Sequence, residues 1–337
     1  MSMVQKKGIQ EVKPPILFSE TQKIIKEVES LLQGDLICYW NSQNGSICHN
    51  DIIGFHEIFQ KLSLGETIYL FIKSAGGDGR ASLRIVNLIR RYVKKVITLI
   101  PLECSSAATM LALGSDEIHM GPLAYLSAVD TSITHKLSPV DKNNFSVSVS
   151  QDELSRVIRL WNAEKKDQGG NPYEALYQYI HPLVIGAVDR ASSLSIMLCK
   201  EILSYHMEDE QKAEEISNQL NSNYPSHSYP ITYIESKKIG LNAKPLDTKI
   251  SDLLVDLNEL YSEMGQRAYT DYDDLNYHDN EILNILEGKN IQFYYQVDRD
   301  WHYRTEERRW VSLNDKSSWR KIEEVNGKMV QSMHHIR

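Results

Sequence analysis

Residues 101–121, PLECSSAATMLALGSDEIHMG, set two adjacent serines between the end of one apolar run, VITLIP (96–101), and an alanine-rich segment that is helical by composition. The strand-like EIHM (117–120) follows at once. A serine at a strand-to-helix junction has two uses. It can cap the helix, its hydroxyl accepting one of the orphan N–H groups. It can also be a nucleophile, because a helix start offers N–H groups and positive partial charge to a developing oxyanion, and the small Ala107 and Ala108 leave room for a substrate. The residues leave both readings open, and Ser105 and Ser106 permit one of each.

The segments upstream say what kind of sheet this junction belongs to. After a polar tail (1–17), a helical pattern runs from Ser19 to Leu32, with apolar Ile24, Ile25, Val28, Leu31 and Leu32. DLICYW (35–40) then reads as a buried strand, HNDIIGFHEIFQKL (49–62) as an amphipathic helix started by Asn50 or Asp51, and TIYLFIKS (67–74) as a second strand. The turn SAGGDG (74–79), the helix RASLRIVNLIRRYV (80–93) and the strand VITLIP complete the run. Strand and helix alternate, which predicts an α/β fold: a parallel sheet covered by helices through right-handed crossovers. In such a sheet a site sits at the C-terminal ends of neighbouring strands. Two turns qualify, the serine junction and KSAGGDGR (73–80). In the latter, Gly76 and Gly77 allow positive φ and expose bare N–H groups. A tight turn explains them equally well, and the Lys-Ser/Thr ending of a phosphate-binding loop is missing.

Downstream, GPLAYLSAVDTSITHKLSPVDKNN (121–144) is too rich in Gly, Pro, Ser and Asp to be helical throughout. A helix is expected over Gln151–Trp161, a break at KKDQGGNPYE (165–174), helix again over Tyr173–His206 with bends at Pro182 or Gly186, and a solvated helix in EDEQKAEE (208–215). After Leu246 the character changes to a helix over Ile250–Met264, the acidic YTDYDDLNYHDNE (269–281), and NIQFYYQVDRDWHYRTEERRWVSL (290–313), which predicts two or three antiparallel strands. The expected organisation is a tail (1–17), a main domain (18–246) and a C-terminal α+β domain (247–337), with no internal repeat.

Of the 337 residues, 42% are apolar and 24% charged, ordinary for a folded globular chain, and the net charge of -8 argues against nucleic acid as a partner. Arg90, Arg91, Lys94 and Lys95 fit a solvated helix face. Trp301, Trp310 and Trp319 among tyrosines and arginines fit a small β core or an oligomer contact better than base stacking. The four cysteines lack zinc-site spacing and read as reduced thiols. With no apolar leader in the first residues and no strictly apolar run of about 18 residues, the expectation is a cytoplasmic protein without a membrane partner.

Three blocks, FIKSAGGDGRASLRIVNLIR (71–90), IPLECSSAATMLALGSDEIHMGPLAYLSAVD (100–130) and NYPSHSYPITYIESKKIGL (223–241), resemble the serine dehydrogenase proteinase family in order, spacing and wording. That family lies in the wider fold group of Clp protease proteolytic subunits, signal peptide peptidase A and crotonases. The resemblance spans roughly residues 35 to 245. It implies a ClpP/crotonase-like ββα superhelix with a small C-terminal α+β extension, a serine hydrolase site, no metal or cofactor, and a homo-oligomer.

Carried over residue by residue, the resemblance makes Ser106 the nucleophile, with the N–H groups of Gly76 or Gly77 and of Ala107 as the oxyanion hole. Ser105 becomes a helix cap or, counting back from Gly114, the alternative nucleophile. The base is open, because Asp130 lies in the stretch where Clp subunits carry a histidine. His227 in PSHSYPI, His135, Lys136 and Lys142 are the candidates, with Asp130 as orienting acid, while His181 before Pro182 reads as a helix cap. The expected function is a cytosolic serine peptidase taking peptide substrates by strand addition near the glycine turn. The alternatives are a crotonase-like acyl-CoA enzyme, in which the serine is idle, and a silent scaffold or sensor that recruits a partner through the C-terminal domain.

Overall fold

The computed structural model describes residues 10–334 except 63, 143, 165–170 and 326. The first nine residues of the expected tail and the core of the expected break at 165–174 therefore lie outside the described residues. Helix α1 (Phe18–Leu32) leads into β1 (Asp35–Asn41), α2 (Asp51–Lys61), β2 (Thr67–Lys73), α3 (Gly79–Tyr92), β3 (Lys95–Ile100), the short β4 (Glu103–Cys104), α4 (Ala107–Leu113) and β5 (Glu117–Met120). This is the alternation that the periodicity predicts, and β1, β2, β3 and β5 pair in parallel in that order. Residues of β1 are buried on both faces: Ile37 and Tyr39 pack toward α2 and α3, Leu36, Cys38 and Trp40 toward α1. That is why DLICYW is apolar without alternation.

Next come β6 (Tyr125–Leu126), parallel to β4, and the antiparallel pair β7 (Ser132–Ile133) and β8 (Val149–Ser150). Helices α5 (Gln151–Glu164), α6 (Pro172–Leu176), α7 (Pro182–Leu203), α8 (Glu210–Asn218) and α9 (Tyr233–Lys238) follow, with a π-helical turn at Gln219–Asn223. Strand β9 (Ala243–Pro245) closes the parallel row beside β5. The helix expected over Tyr173–His206 is two helices, because Pro182 opens α7 and the His181 ring accepts the Leu183 N–H at 3.2 Å as its cap. Gly186 lies within α7. By length and composition α7 is apolar enough to cross a membrane, contrary to the expectation from strictly apolar runs. Asp189 and Arg190 interrupt its apolar run, yet the aliphatic residues on either side keep its mean hydropathy high. In the fold it packs against α3, α4, α5 and α8.

The chain finishes with α10 (Thr248–Met264) and six strands, β10 (Ala268–Asp273), β11 (Asn276–Gly288), β12 (Ile291–Arg304), β13 (Arg309–Asp315), β14 (Ser318–Val325) and β15 (Lys328–His334). The acidic stretch 269–281 is thus mostly strand, paired as the β10–β11 hairpin. Strand β11 lies antiparallel on β1, with Cys38 opposite Glu287 and Asn41 opposite Asn284, so the result is one mixed sheet of 11 strands. Helix α10 shares a core with α1 and β1 through Leu254, Leu257, Tyr261 and Met264. The described residues from Thr248 to His334 therefore continue the sheet and the core of the residues before them.

Two buried carboxyl groups pin this junction. Glu287 accepts hydrogen bonds from Thr21 Oγ1 at 2.7 Å, Gln22 Nε2 at 2.7 Å, Tyr261 Oη at 2.8 Å and Gln292 Nε2. Asp51 accepts from the Tyr39 hydroxyl, the Cys48 N–H at 2.7 Å and Asn284 Nδ2 at 2.9 Å. Burial pushes their pKa up to about 7 and about 6, respectively, against the pull of these donors.

Candidate active site

The glycine turn after β2 is held from three sides. Ser74, fully buried, donates its N–H to Glu103 O at 3.1 Å and accepts the Ser105 N–H at 2.9 Å on its carbonyl, which ties the turn to β4. Its hydroxyl accepts the Gly76 N–H at 3.0 Å. On the far side Ile47 donates to Gly76 O at 2.8 Å and accepts from the Asp78 N–H at 2.9 Å. Gly76 O and Asp78 N–H thus face Ile47, and the N–H and C=O of Gly77 face the opposite way. That side is a cavity, and Gly77 lines it. Of the two glycines expected as oxyanion donors, Gly77 lines this cavity, whereas the N–H of Gly76 is bonded to Ser74 Oγ. Gly76 is needed for another reason: at φ 113°, a Cβ there would lie 2.7 Å from Ser106 Cβ and 3.1 Å from Ala107 N.

Ser106 has φ 54° and ψ −120°, a conformation that costs a non-glycine residue strain. It stands at the N-terminal boundary of α4, yet its side chain caps nothing. Ser106 and Ala107 both line this cavity. A strained serine between strand and helix is the arrangement that lifts a nucleophile out of the local backbone. Ser105 is expected to cap the helix, but its hydroxyl instead donates to Glu103 Oε1 at 3.2 Å. Its carbonyl accepts the Ala108 N–H at 2.9 Å instead.

The third part comes from far along the chain. Leu126 and Ile231 exchange both backbone hydrogen bonds, at 2.9 and 2.8 Å, which lays the segment after β6 beside the segment before α9. Asp130 and His227, 97 residues apart, meet there with Asp130 Oδ1 2.8 Å from His227 Nδ1. This hydrogen bond raises the pKa of His227, and partial burial works against it. The carboxylate fixes the imidazole so that Nε2 is the nitrogen left for chemistry. Asp130 and His227 line the same cavity as Gly77, Ser106 and Ala107, a space of about 340 Å³. Its apolar wall includes Met110, Leu194 and Leu198. A larger cavity of about 500 Å³ between α4, α8 and the α9–β9 turn contains none of the predicted site residues.

The remaining candidates lie outside this cavity. His135 is engaged in its own turn, its Nδ1 accepting the Leu137 N–H at 3.1 Å, while Lys136 and Lys142 are exposed. Sequence reasoning missed Leu194 and Leu198 on α7, whose helical spacing was a usable signal, and Ser127, which had none. All four cysteines are free thiols, three of them buried.

No family model matches the chain. Two uncharacterized proteins of Methanocaldococcus jannaschii are each 24% identical to it over 206 residues, 61% of this chain and 62% and 61% of theirs. The chain thus spans about three fifths of the length of the curated relatives it matches. Among solved structures, a serine-to-alanine mutant of a 1510-N membrane-bound stomatin-specific protease covers 66% of this chain and 83% of its own at 16% identity and a TM-score of 0.38. A lysine-to-alanine mutant of that protease in complex with a substrate peptide covers 64% and 94%, at 16% identity and a TM-score of 0.26. At these scores the likeness carries no weight beside the geometry of the site.

Proposed function

We propose that the chain is a serine peptidase, an amide-bond hydrolase with a ClpP/crotonase-type site. One observation supports this reading: the strained Ser106, Gly77, Ala107 and the hydrogen-bonded Asp130 and His227 all line one cavity. In the proposed reaction Ser106 Oγ attacks the substrate carbonyl and His227 Nε2 takes its proton. The carbonyl oxygen, now negative, is held by the Gly77 and Ala107 N–H groups. His227 then gives the proton to the leaving amine, and water releases the acyl group from Ser106 by the same steps in reverse. The cavity-facing N–H and C=O of Gly77 suit an extended peptide, because its other neighbour, Ile47, is already in place. Four free thiols fit a reducing compartment such as the cytoplasm. A homo-oligomer is part of the proposal on the strength of the family resemblance.

The test is labelling of purified protein with a fluorophosphonate probe, with the adduct located by mass spectrometry. An adduct on Ser106 that is lost in Ser106→Ala supports the hydrolase. A folded protein without an adduct on either serine would return the chain to the scaffold reading, and binding of coenzyme A without an adduct would favour the acyl-CoA enzyme.

A further inference from the structure

We infer that Ser127 is a positioning residue, whose hydroxyl holds the nucleophile turn in its strained shape and fixes it to the segment that carries Asp130. The inference rests on the hydrolase reading of Ser106. The Ser106 N–H donates to Ser127 Oγ at 2.8 Å. Ser127 is 1% exposed, so this bond has no water to replace it. Its hydroxyl proton goes to Ala128 O at 3.0 Å, which leaves the oxygen lone pairs aimed at Ser106. The Ser127 N–H donates to Thr109 Oγ1 at 3.1 Å, and the Thr109 hydroxyl donates to Cys104 O at 2.8 Å. A closed circuit results: from Cys104 before the turn, through Thr109 in α4, to Ser127, and back to Ser106.

The sheet geometry shows why a side chain is used here. Strands β4 and β6 pair through Glu103 with Tyr125 and Cys104 with Leu126, and there the ladder ends. Two residues past Cys104 the backbone at Ser106 has reversed to positive φ, and its N–H meets the side chain of Ser127, one residue past Leu126. A serine hydroxyl completes a contact that regular pairing cannot make at that angle. The same residue begins the run to Asp130, which is anchored by the Val129 N–H on Leu220 O at 3.0 Å and by Ser195 Oγ on Val129 O at 2.8 Å. The bond from Ser106 to Ser127 is therefore a direct tie between the attacking turn and the strand of the acid–base pair. Neither Ser127 nor Thr109 touches the cavity, so their effect on chemistry passes through the placement of Ser106.

Two readouts test this. In Ser127→Ala the exchange rate of the Ser106 amide hydrogen should rise at least about 10-fold, while amides of β1 to β3 keep their protection. The rate constant for covalent labelling should fall about 10- to 100-fold, with the probe's non-covalent affinity and the midpoint of the pH profile unchanged, since His227 and Asp130 are untouched. A residue that merely supported folding would lower thermal stability without this split. Thr109→Val, which removes both the acceptor of the Ser127 N–H and the donor to Cys104 O but leaves the Ser106–Ser127 bond in place, should give a smaller loss of the same kind, and it carries the test if Ser127→Ala does not fold. Wild-type labelling together with wild-type exchange at Ser106, in either folded variant, overturns the inference. If the wild-type protein itself fails to label, the hydrolase reading falls, and amide exchange alone decides whether Ser127 holds the turn.

Discussion

In the parallel half of the sheet, β2 and β3 end at the same edge, and the backbone beyond them is free to turn. In the antiparallel half, β10 to β15 fold back on one another and successive strands meet side chain to side chain. The first arrangement leaves Gly77 lining a cavity. The second fills its face with ring contacts: Tyr269 to Tyr277 at 4.8 Å, Tyr277 to Trp301 at 6.1 Å and Tyr277 to Trp310 at 4.7 Å. Parallel pairing needs long crossovers and so gathers loops from distant parts of the chain, whereas hairpins gather only neighbours. The candidate chemistry lies in the first half for that reason. The two halves meet at β1 and β11, over the buried Glu287 and Asp51.

If this division of labour is right, changes in the parallel half should remove labelling, and changes in the other half should cost only stability. The largest effect is expected at the nucleophile. Ser106→Ala should abolish fluorophosphonate labelling, and Gly76→Ala should nearly do so, because its Cβ would collide with Ser106 Cβ at 2.7 Å. Intact labelling in Gly76→Ala would show that the turn yields more readily than its packing implies. Next is Asp130→Asn, expected to slow labelling about 10²- to 10⁴-fold. It should also move the midpoint of the pH–rate profile down, because the Asp130 hydrogen bond is what raises the His227 pKa. An unmoved midpoint would remove His227 from the role of base.

At the seam, Glu287→Ala strands several buried donors and should cost about 3–5 kcal/mol in chemical denaturation. The pH dependence has a definite sign. Glu287 binds its proton with a pKa of about 7 in the folded state against the ordinary 4.5, so between those values the folded protein holds more protons than the unfolded one. Its contribution is complete below pH 4.5 and is lost as the pH rises through 7. Asp51 acts in the same direction with a pKa of about 6. Unfolding measured across this range should therefore show stability falling with pH, and Glu287→Gln should flatten the slope. The smallest effect belongs to the aromatic face: Trp310→Ala should lower stability by about 1 kcal/mol and leave labelling unchanged. A labelling defect there would break the comparison and tie the antiparallel half to the site.

The sequence by itself determined the types of the elements and the two turns that matter. Local patterns are enough for that: apolar runs of strand length, helices of 3.6-residue period, glycines between strand and helix, and serines at a helix start. The alternation up to Met120 is therefore legible element by element, except for the two-residue β4, which is too short to leave a pattern. Tertiary structure decided the rest, because each remaining point depends on which distant segments pair. Ser106 differs from Ser105 by a positive backbone angle, φ 54°, at a place where Gly76 packs against it and Ser127 accepts its N–H, contacts with segments 30 and 21 residues away. Gly77 differs from Gly76 because Ser74 and Ile47 take up the polar groups of the turn on one side and leave those of Gly77 on the other. His227 becomes the partner of Asp130, in preference to the nearer His135, through the pairing of Leu126 with Ile231. The continuation of the sheet past residue 247 follows from β11 lying on β1, a register written in contacts between segments some 240 residues apart rather than in either segment alone.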